Sequence, residues 1–150
     1  MLARMSSTFD MPIYKLPVAM LTPRITTQIN NVLQVTWPAK SYATQHAAYE
    51  WVVMAQHQGQ IIGVLFTRKE SAWTYIEKLA VLPQYRRRGV AKSLLDFVHD
   101  EIDHQNAHVL HVDAGVDHNR LLDYYARHNF EIVYSNNTET MMRRDPANTQ

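Results

Sequence analysis

The sequence predicts an α+β fold: a mixed, mostly antiparallel sheet with one central parallel strand pair and about four helices. Three observations predict it. Three apolar runs follow one another between residues 50 and 82, separated only by turn residues, which reads as an antiparallel meander. One amphipathic helix then joins the strands 73–82 and 109–114, so these two run parallel through a right-handed crossover. Two further strands follow the last helix with a short turn between them. Strands grouped in this way, rather than alternating regularly with helices, define the α+β class.

The elements follow in order. Ile13 to Leu21 reads as a first strand. Thr22-Pro23 is a helix start, with threonine as cap and proline in the first turn. This helix runs through Ile29, Val32 and Leu33 towards Trp37-Pro38. Tyr42 to Ala48 is read as a second short helix. Glu50 to Gln56 and Ile61 to Arg68 form a hairpin about His57-Gln58-Gly59-Gln60, and Trp73 to Leu82 is the next strand, ended by Pro83. Gly89 to His104 is the clearest helix, because Ala91, Leu94, Leu95, Val98 and Ile102 recur at spacings of three and four. Val109 to Ala114 is a strand, His118 to His128 a helix, and Phe130 to Tyr134 with Glu139 to Arg143 a closing antiparallel pair.

The 150 residues suit a single domain, 1–150, with residues 1–11 and 145–150 as loose ends. A hydrophobic share of 46% against 19% charged is that of an ordinary globular protein. The net charge of +1 argues against nucleic acid as the main partner, since any positive patch must be local. No cysteine is present, which removes disulfides, thiolate metal sites and cysteine nucleophiles. Neither a signal peptide nor a membrane-spanning run is read in the sequence, so the expected address is cytoplasmic and no membrane partner is expected.

The chemistry concentrates where an apolar strand meets a basic loop with one glycine, and the loop opens a helix: Ile76 through Leu95. The first amides of a helix lack internal partners, and the macrodipole adds positive potential at the same point. Such a turn binds phosphate. Gly89 and Ala91 leave the backbone uncovered, and Arg86, Arg87, Arg88 and Lys92 surround it with charge. A P-loop is excluded, because Arg86 and Ala91 stand where its two glycines belong. The dinucleotide fingerprint G-x-G-x-x-G is absent too. From these residues alone, an anion site and a merely solvated helix start both remain open.

The stretch resembles motif A of the GNAT superfamily of N-acetyltransferases, [QR]-x-x-G-x-[GA], here Arg86-x-x-Gly89-x-Ala91. Leu79-Ala-Val-Leu-Pro83 resembles that family's fourth strand, and Leu122 through Phe130 its later tyrosine helix. The likeness is good over about residues 50–135 and rests on element order alone over 1–49. It implies a GNAT-like sheet whose central parallel strands splay apart. It further implies that acetyl-CoA is the cosubstrate, with its pantetheine arm paired along Leu79, Ala80 and Val81. The amides from Arg87 to Lys92, Val90 included, would hold its pyrophosphate. At the position where the family often has an asparagine contacting the arm, this chain has His118, with Asn119 beside it. The family's Gly-Phe is Asn129-Phe130 here, a mild change because asparagine tolerates the left-handed conformation of a helix C-cap.

The implied reaction is direct attack of a primary amine on the thioester, without an acyl-enzyme. It needs a base, an oxyanion donor and an acid. By position relative to Phe130, Tyr125 is the expected acid, with Tyr124 its competitor about 100° round the helix. Strand alternation puts Glu77 on one face with Leu79 and Val81, where a carboxylate among apolar neighbours suits a base. Asp113, ending the fifth strand, is the alternative, and the amide of Leu79 is the implied oxyanion donor. A non-catalytic CoA-sensing module of the same fold is the alternative function, and an arginine-rich nucleic-acid or structural domain a third. The acceptor is a small-molecule or peptide amine. Residues 22–49 hold no pattern that names it, although Trp37 and Tyr42 fall where related folds line the acceptor pocket. Homodimers are common in the family. No metal is expected: His108 and His111, three apart on one strand, point to opposite faces, and no ligand spacing such as HExxH occurs.

Overall fold

A computed structural model describes residues 9–38 and 46–146, and these build one seven-stranded sheet. β1 (Ile13–Pro17) leads through a 3-10 turn to helix α1 (Pro23–Thr36). β2 (Trp51–His57), β3 (Gln60–Glu70) and β4 (Trp73–Val81) form the meander. Helix α2 (Val90–Phe97) crosses to β5 (Ala107–Asp113), and helix α3 (His118–Ala126) leads to the hairpin of β6 (Glu131–Ser135) and β7 (Glu139–Arg144). The strand order is β1-β2-β3-β4-β5-β7-β6, and only β4 and β5 run parallel. The expected α+β class, mixed sheet and crossover are all present.

Local chemistry explains where elements begin and end. Thr22 caps α1, its hydroxyl oxygen accepting the Ile25 amide at 3.3 Å, with Pro23 in the first turn. β1 is shorter than the sequence suggests. It ends at Pro17, which has no amide to donate, and Val18–Met20 turns over instead. The α-helical part of α2 stops at Phe97, and Val98–Ile102 widens into a π turn rather than continuing to His104. Buried Asp103 draws the chain inward there: its carboxylate accepts the Thr74 hydroxyl at 2.6 Å and the amides of Gln105 and Asn106. Burial opposes its charge, but these donors and the Asn106 side chain outweigh that and hold it well below the usual carboxylate range. Of the expected helix at 42–48, residues 42–45 lie outside the described residues, and His46–Ala48 is a turn closed by the Tyr49 amide on the His46 carbonyl. Phe9 and Met11, expected in a loose end, pack against the core.

The sheet has two differently covered faces. α2 covers one: a Cβ placed on Gly63 would lie 2.8 Å from Val90 Cγ1 and 3.3 Å from Leu94 Cδ1. On the other, Phe66 stacks with His46 and meets Tyr49, both from the segment after α1. α2 is thus seated directly over Gly63. Gly63→Val is expected to push the helix away and cost about 1–3 kcal/mol, the usual cost of overpacking. A lowered urea midpoint with unchanged m-value would show it; an unchanged midpoint would mean that α2 is not seated on Gly63.

β4 carries a bulge. Val64 faces Ala80 and Phe66 faces Glu77, so β4 holds one more residue than β3 across this step, and Lys78 takes a φ of 58° there. This corrects the expectation that Glu77 shares a face with Val81. Glu77 pairs with Phe66 on the α1 face, whereas Val81 pairs with Gly63 on the α2 face. Strict alternation fails because the extra residue flips the register.

Candidate active site

The ladder between β4 and β5 is short. Only Trp73↔Ala107, Thr74↔His108 and Tyr75↔Val109 pair, and both strands continue beyond them. From Ile76 to Val81 and from Leu110 to Asp113 the facing edges separate. The bulge at Lys78 bends β4 away, which opens the cleft. Backbone donors and acceptors on such an edge need a partner, and an extended ligand can supply it as an added strand. Leu79, Ala80 and Val81 lie along this edge, with Ala80 and Val81 buried and Leu79 packed at the margin of the core.

The cleft runs into the basic loop. Pro83–Tyr85 forms a 3-10 turn, Arg87 takes a φ of 66°, and Gly89 a φ of 80° as N-cap of α2. No side chain caps this helix, so the amides of Val90, Ala91 and Lys92 face outward without an intrahelical partner. A Cβ at Gly89 would meet nothing within 4 Å, so the space before the helix start is open. Such a loop and helix end form an anion-binding concavity. The basic side chains are largely engaged elsewhere. Arg86 Nε donates to the Val81 carbonyl at 3.1 Å, Arg88 lies over the rings of Phe9 and Tyr85, and Lys92 pairs with Asp96 at 2.6 Å. Arg87 is exposed and is itself one of the two left-handed residues of the loop.

α3 packs on β5. His118, in its first turn, sits with Nδ1 at 3.1 Å from the Asp113 carbonyl and Nε2 at 3.2 Å from the Thr140 hydroxyl, which ties α3 to β5 and β7. Asn119 is exposed. Tyr125 is partly buried, its ring edge-on to Phe130 at 5.7 Å and to Tyr124 at 5.4 Å. Burial, and then Tyr124, push its hydroxyl above the ordinary phenol value, so it stays protonated and is available as a donor. Tyr124 turns instead towards His128, 4.5 Å away. The Asn129 amide bonds the Ala126 carbonyl and the Phe130 amide the Tyr125 carbonyl, with Asn129 at a φ of 72°. That is the left-handed cap expected of asparagine at this point.

The α1 face of the cleft is polar. Glu77 accepts the Tyr49 hydroxyl at 2.7 Å on one oxygen and Arg68 Nε at 3.0 Å on the other. Arg68 also reaches Glu70 at 2.8 Å and lies 4.3 Å from the centre of the Tyr75 ring. The Tyr75 ring is parallel to that of His111 within 15°, at 6.3 Å, and His111 Nε2 is 3.7 Å from Glu139 Oε2. Asp113 is exposed and registers with Glu139. Sequence reasoning missed Tyr49, Arg68 and Tyr75, and weighed His111 only as a metal ligand. Counting by twos along 107–113 would have set His111 on one face with Asp113. Nothing local announces that Tyr75 meets it across the parallel pair. Trp37 lies just past α1 and packs against the core, and Tyr42 lies outside the described residues. Among the described residues no three His, Asp or Glu side chains gather as a metal site, and no helix is long and apolar enough to cross a membrane.

His46 sits beneath this face. Nε2 is 2.8 Å from Asn30 Oδ1 and Nδ1 3.3 Å from Lys78 Nζ. Burial first, and Lys78 second, push its pKa down from 6.5 to about 4. Between those values the unfolded chain holds a proton that the folded protein lacks, so stability falls as pH drops through that window. His46→Leu is expected to flatten this part of the Tm-against-pH curve; an unaltered slope would show that His46 does not set it.

The family follows from these features together. The chain belongs to the acetyltransferase (GNAT) family, whose model matches residues 22–130. Solved structures share the fold. Naa50 of Arabidopsis thaliana, in complex with the bisubstrate analogue CoA-Ac-MVNAL, is 22% identical with a TM-score of 0.70, over 89% of this chain and 98% of that one. The PaiA N-acetyltransferase of Thermoplasma acidophilum, in complex with coenzyme A, is 12% identical with a TM-score of 0.71, over 91% and 99%. A GNAT family acetyltransferase of Elizabethkingia anophelis with acetyl-CoA bound is 16% identical with a TM-score of 0.64, over 90% and 97%. No curated protein matches the chain significantly in sequence.

Proposed function

We propose that this protein transfers the acetyl group of acetyl-CoA to a primary amine by direct attack. One observation carries the reading: two strand edges lose their pairing beyond Tyr75 and lead to an uncapped helix start at Gly89. An extended amide-bearing arm ending in a pyrophosphate fits that unladdered strand edge and helix start. In this reading the arm pairs along Leu79, Ala80 and Val81. The pyrophosphate takes the amides from Arg87 to Lys92, and His118 and Asn119 border the arm from α3. The Leu79 amide faces the thioester oxygen, where developing negative charge makes a fixed donor most effective.

The amine attacks the thioester carbon, the C–N bond forms, the C–S bond breaks, and Tyr125 protonates the departing thiolate. Glu77 and Asp113 are the carboxylates proposed to handle the amine's proton. The acceptor is a small molecule or a peptide, and the bisubstrate analogue held by Naa50 supports including peptides. The test is thiol release from acetyl-CoA against a panel with spermidine, an aminoglycoside, free amino acids and the pentapeptide MVNAL. At least one amine is expected to raise the rate well above hydrolysis. Tight acetyl-CoA binding with no transfer to any amine would instead indicate a sensing module.

A further inference from the structure

We propose that Phe9 is a positioning residue of the donor site: its ring clamps the loop from Pro83 to Gly89 in the shape that presents the amides at the start of α2. The inference rests on the donor-site reading above and adds to it a segment that lies far from the motif in sequence. The loop poses a conformational problem. Two of its residues are left-handed, Arg87 at a φ of 66° and Gly89 at 80°. Glycine adopts that conformation freely, whereas arginine carries a Cβ that resists it. A residue holds such a conformation only where its surroundings over-determine it. The Tyr85 amide bonds the Leu82 carbonyl, the Arg86 amide the Pro83 carbonyl, and the Ser93 amide the Gly89 carbonyl. These bonds lie to either side of Arg87.

One ring spans the gap. Tyr85 and Arg88 bracket Arg86 and Arg87, and both meet Phe9. The Phe9 ring stacks with that of Tyr85 at 6.0 Å and 27°. The guanidinium carbon of Arg88 lies 5.2 Å from the centre of the Phe9 ring and 5.9 Å from that of Tyr85, so two rings share one cation. Phe9 is itself anchored. Its ring is 4.6 Å from that of His57, which meets Tyr85 edge-on at 5.6 Å. His57 Nδ1 donates to the Asp10 carbonyl at 2.8 Å, and the Gln56 amide donates to the Pro12 carbonyl at 3.0 Å. From Ile13 onward β1 pairs with β2. The segment ahead of β1 is thus tied to the end of β2, and Phe9 reaches from it to both flanks of the Arg87 turn.

The consequence is a matter of populations. A ligand that needs the aligned amides binds only the molecules whose loop already has that shape, and the apparent Kd rises as their fraction falls. Phe9 keeps that fraction high before the ligand arrives. It acts through Tyr85 and Arg88, and its effect belongs to donor binding rather than to the chemical step.

The test is calorimetric titration with acetyl-CoA, with Tm as a fold control. Phe9→Leu keeps an apolar side chain and removes the ring. Its Kd is expected to rise about tenfold, as a fall of the binding-ready loop to about a tenth of the molecules gives. Phe9→Tyr keeps both ring faces and should stay within about twofold of wild type. Tyr85→Leu should match Phe9→Leu, and the double variant should lose little more than either single one, because both remove the same clamp. In thiol release, Phe9→Leu should raise KM for acetyl-CoA and leave kcat at saturating donor unchanged. A wild-type Kd in Phe9→Leu overturns the proposal, whatever its Tm. So does an equal loss in Phe9→Tyr, or a double variant whose losses multiply, since either marks general packing rather than one shared clamp. A wild-type protein that binds no acetyl-CoA overturns the donor-site reading itself.

Discussion

Gly89→Val is expected to weaken acetyl-CoA binding on the order of 100-fold, whereas Arg87→Ala changes it by less than about threefold. Gly89 holds a φ of 80°, and a β-branched residue in that conformation carries roughly 1–3 kcal/mol of strain. The chain relieves such strain by rotating the loop, and the amides of Val90 to Lys92 then lose their common direction. The space around a Cβ at Gly89 is open, so the effect is conformational and not a clash. Arg87 also has a positive φ, but arginine and alanine both carry a Cβ, so Arg87→Ala leaves that strain unchanged. The comparison therefore separates backbone from side-chain binding. Calorimetric titration of both variants, with Tm as a fold control, decides it; a larger loss in Arg87→Ala would mean that charge, not the loop's shape, holds the ligand.

Tyr125→Phe is expected to lower kcat by about 100- to 1000-fold, while acetyl-CoA affinity stays within about twofold. Only the hydroxyl is removed. The ring keeps its edge contacts with Phe130 and Tyr124, so α3 should remain in place. Burial keeps the hydroxyl protonated, which makes it a donor to a departing thiolate and a poor base. An unchanged kcat in single-turnover thiol release would remove Tyr125 from the chemistry. A matching loss in Tyr124→Phe would point to the packing of the pair, since Tyr124 turns towards His128.

Much of the fold was legible because its signals are local. The meander, the crossover helix and the closing hairpin each follow from periodicity and turn residues within a few positions. Thr22, Gly89 and Asn129 also announce their roles locally, as a cap and two left-handed residues. What sequence reading missed depends on registers between strands. The bulge at Lys78 has no composition signal, yet it separates Glu77 from Val81 and opens the cleft. The early end of α2 depends on Asp103 finding Thr74, 29 residues away along the chain. The motif proposed to hold the donor is continuous and could be read directly. By contrast, Arg68, Tyr75, His111 and Glu139 lie on β3, β4, β5 and β7 and become neighbours only in the folded sheet.

Every proposed step depends on acetyl-CoA binding, and titrating the intact protein with acetyl-CoA tests that binding most directly. The expected result is one saturable site per chain, with a dissociation constant inside the roughly 1 μM–1 mM range where such substrates work. No binding at several hundred micromolar acetyl-CoA would contradict the assignment of the β4–β5 cleft and the loop from Arg86 to Ala91 as the donor site.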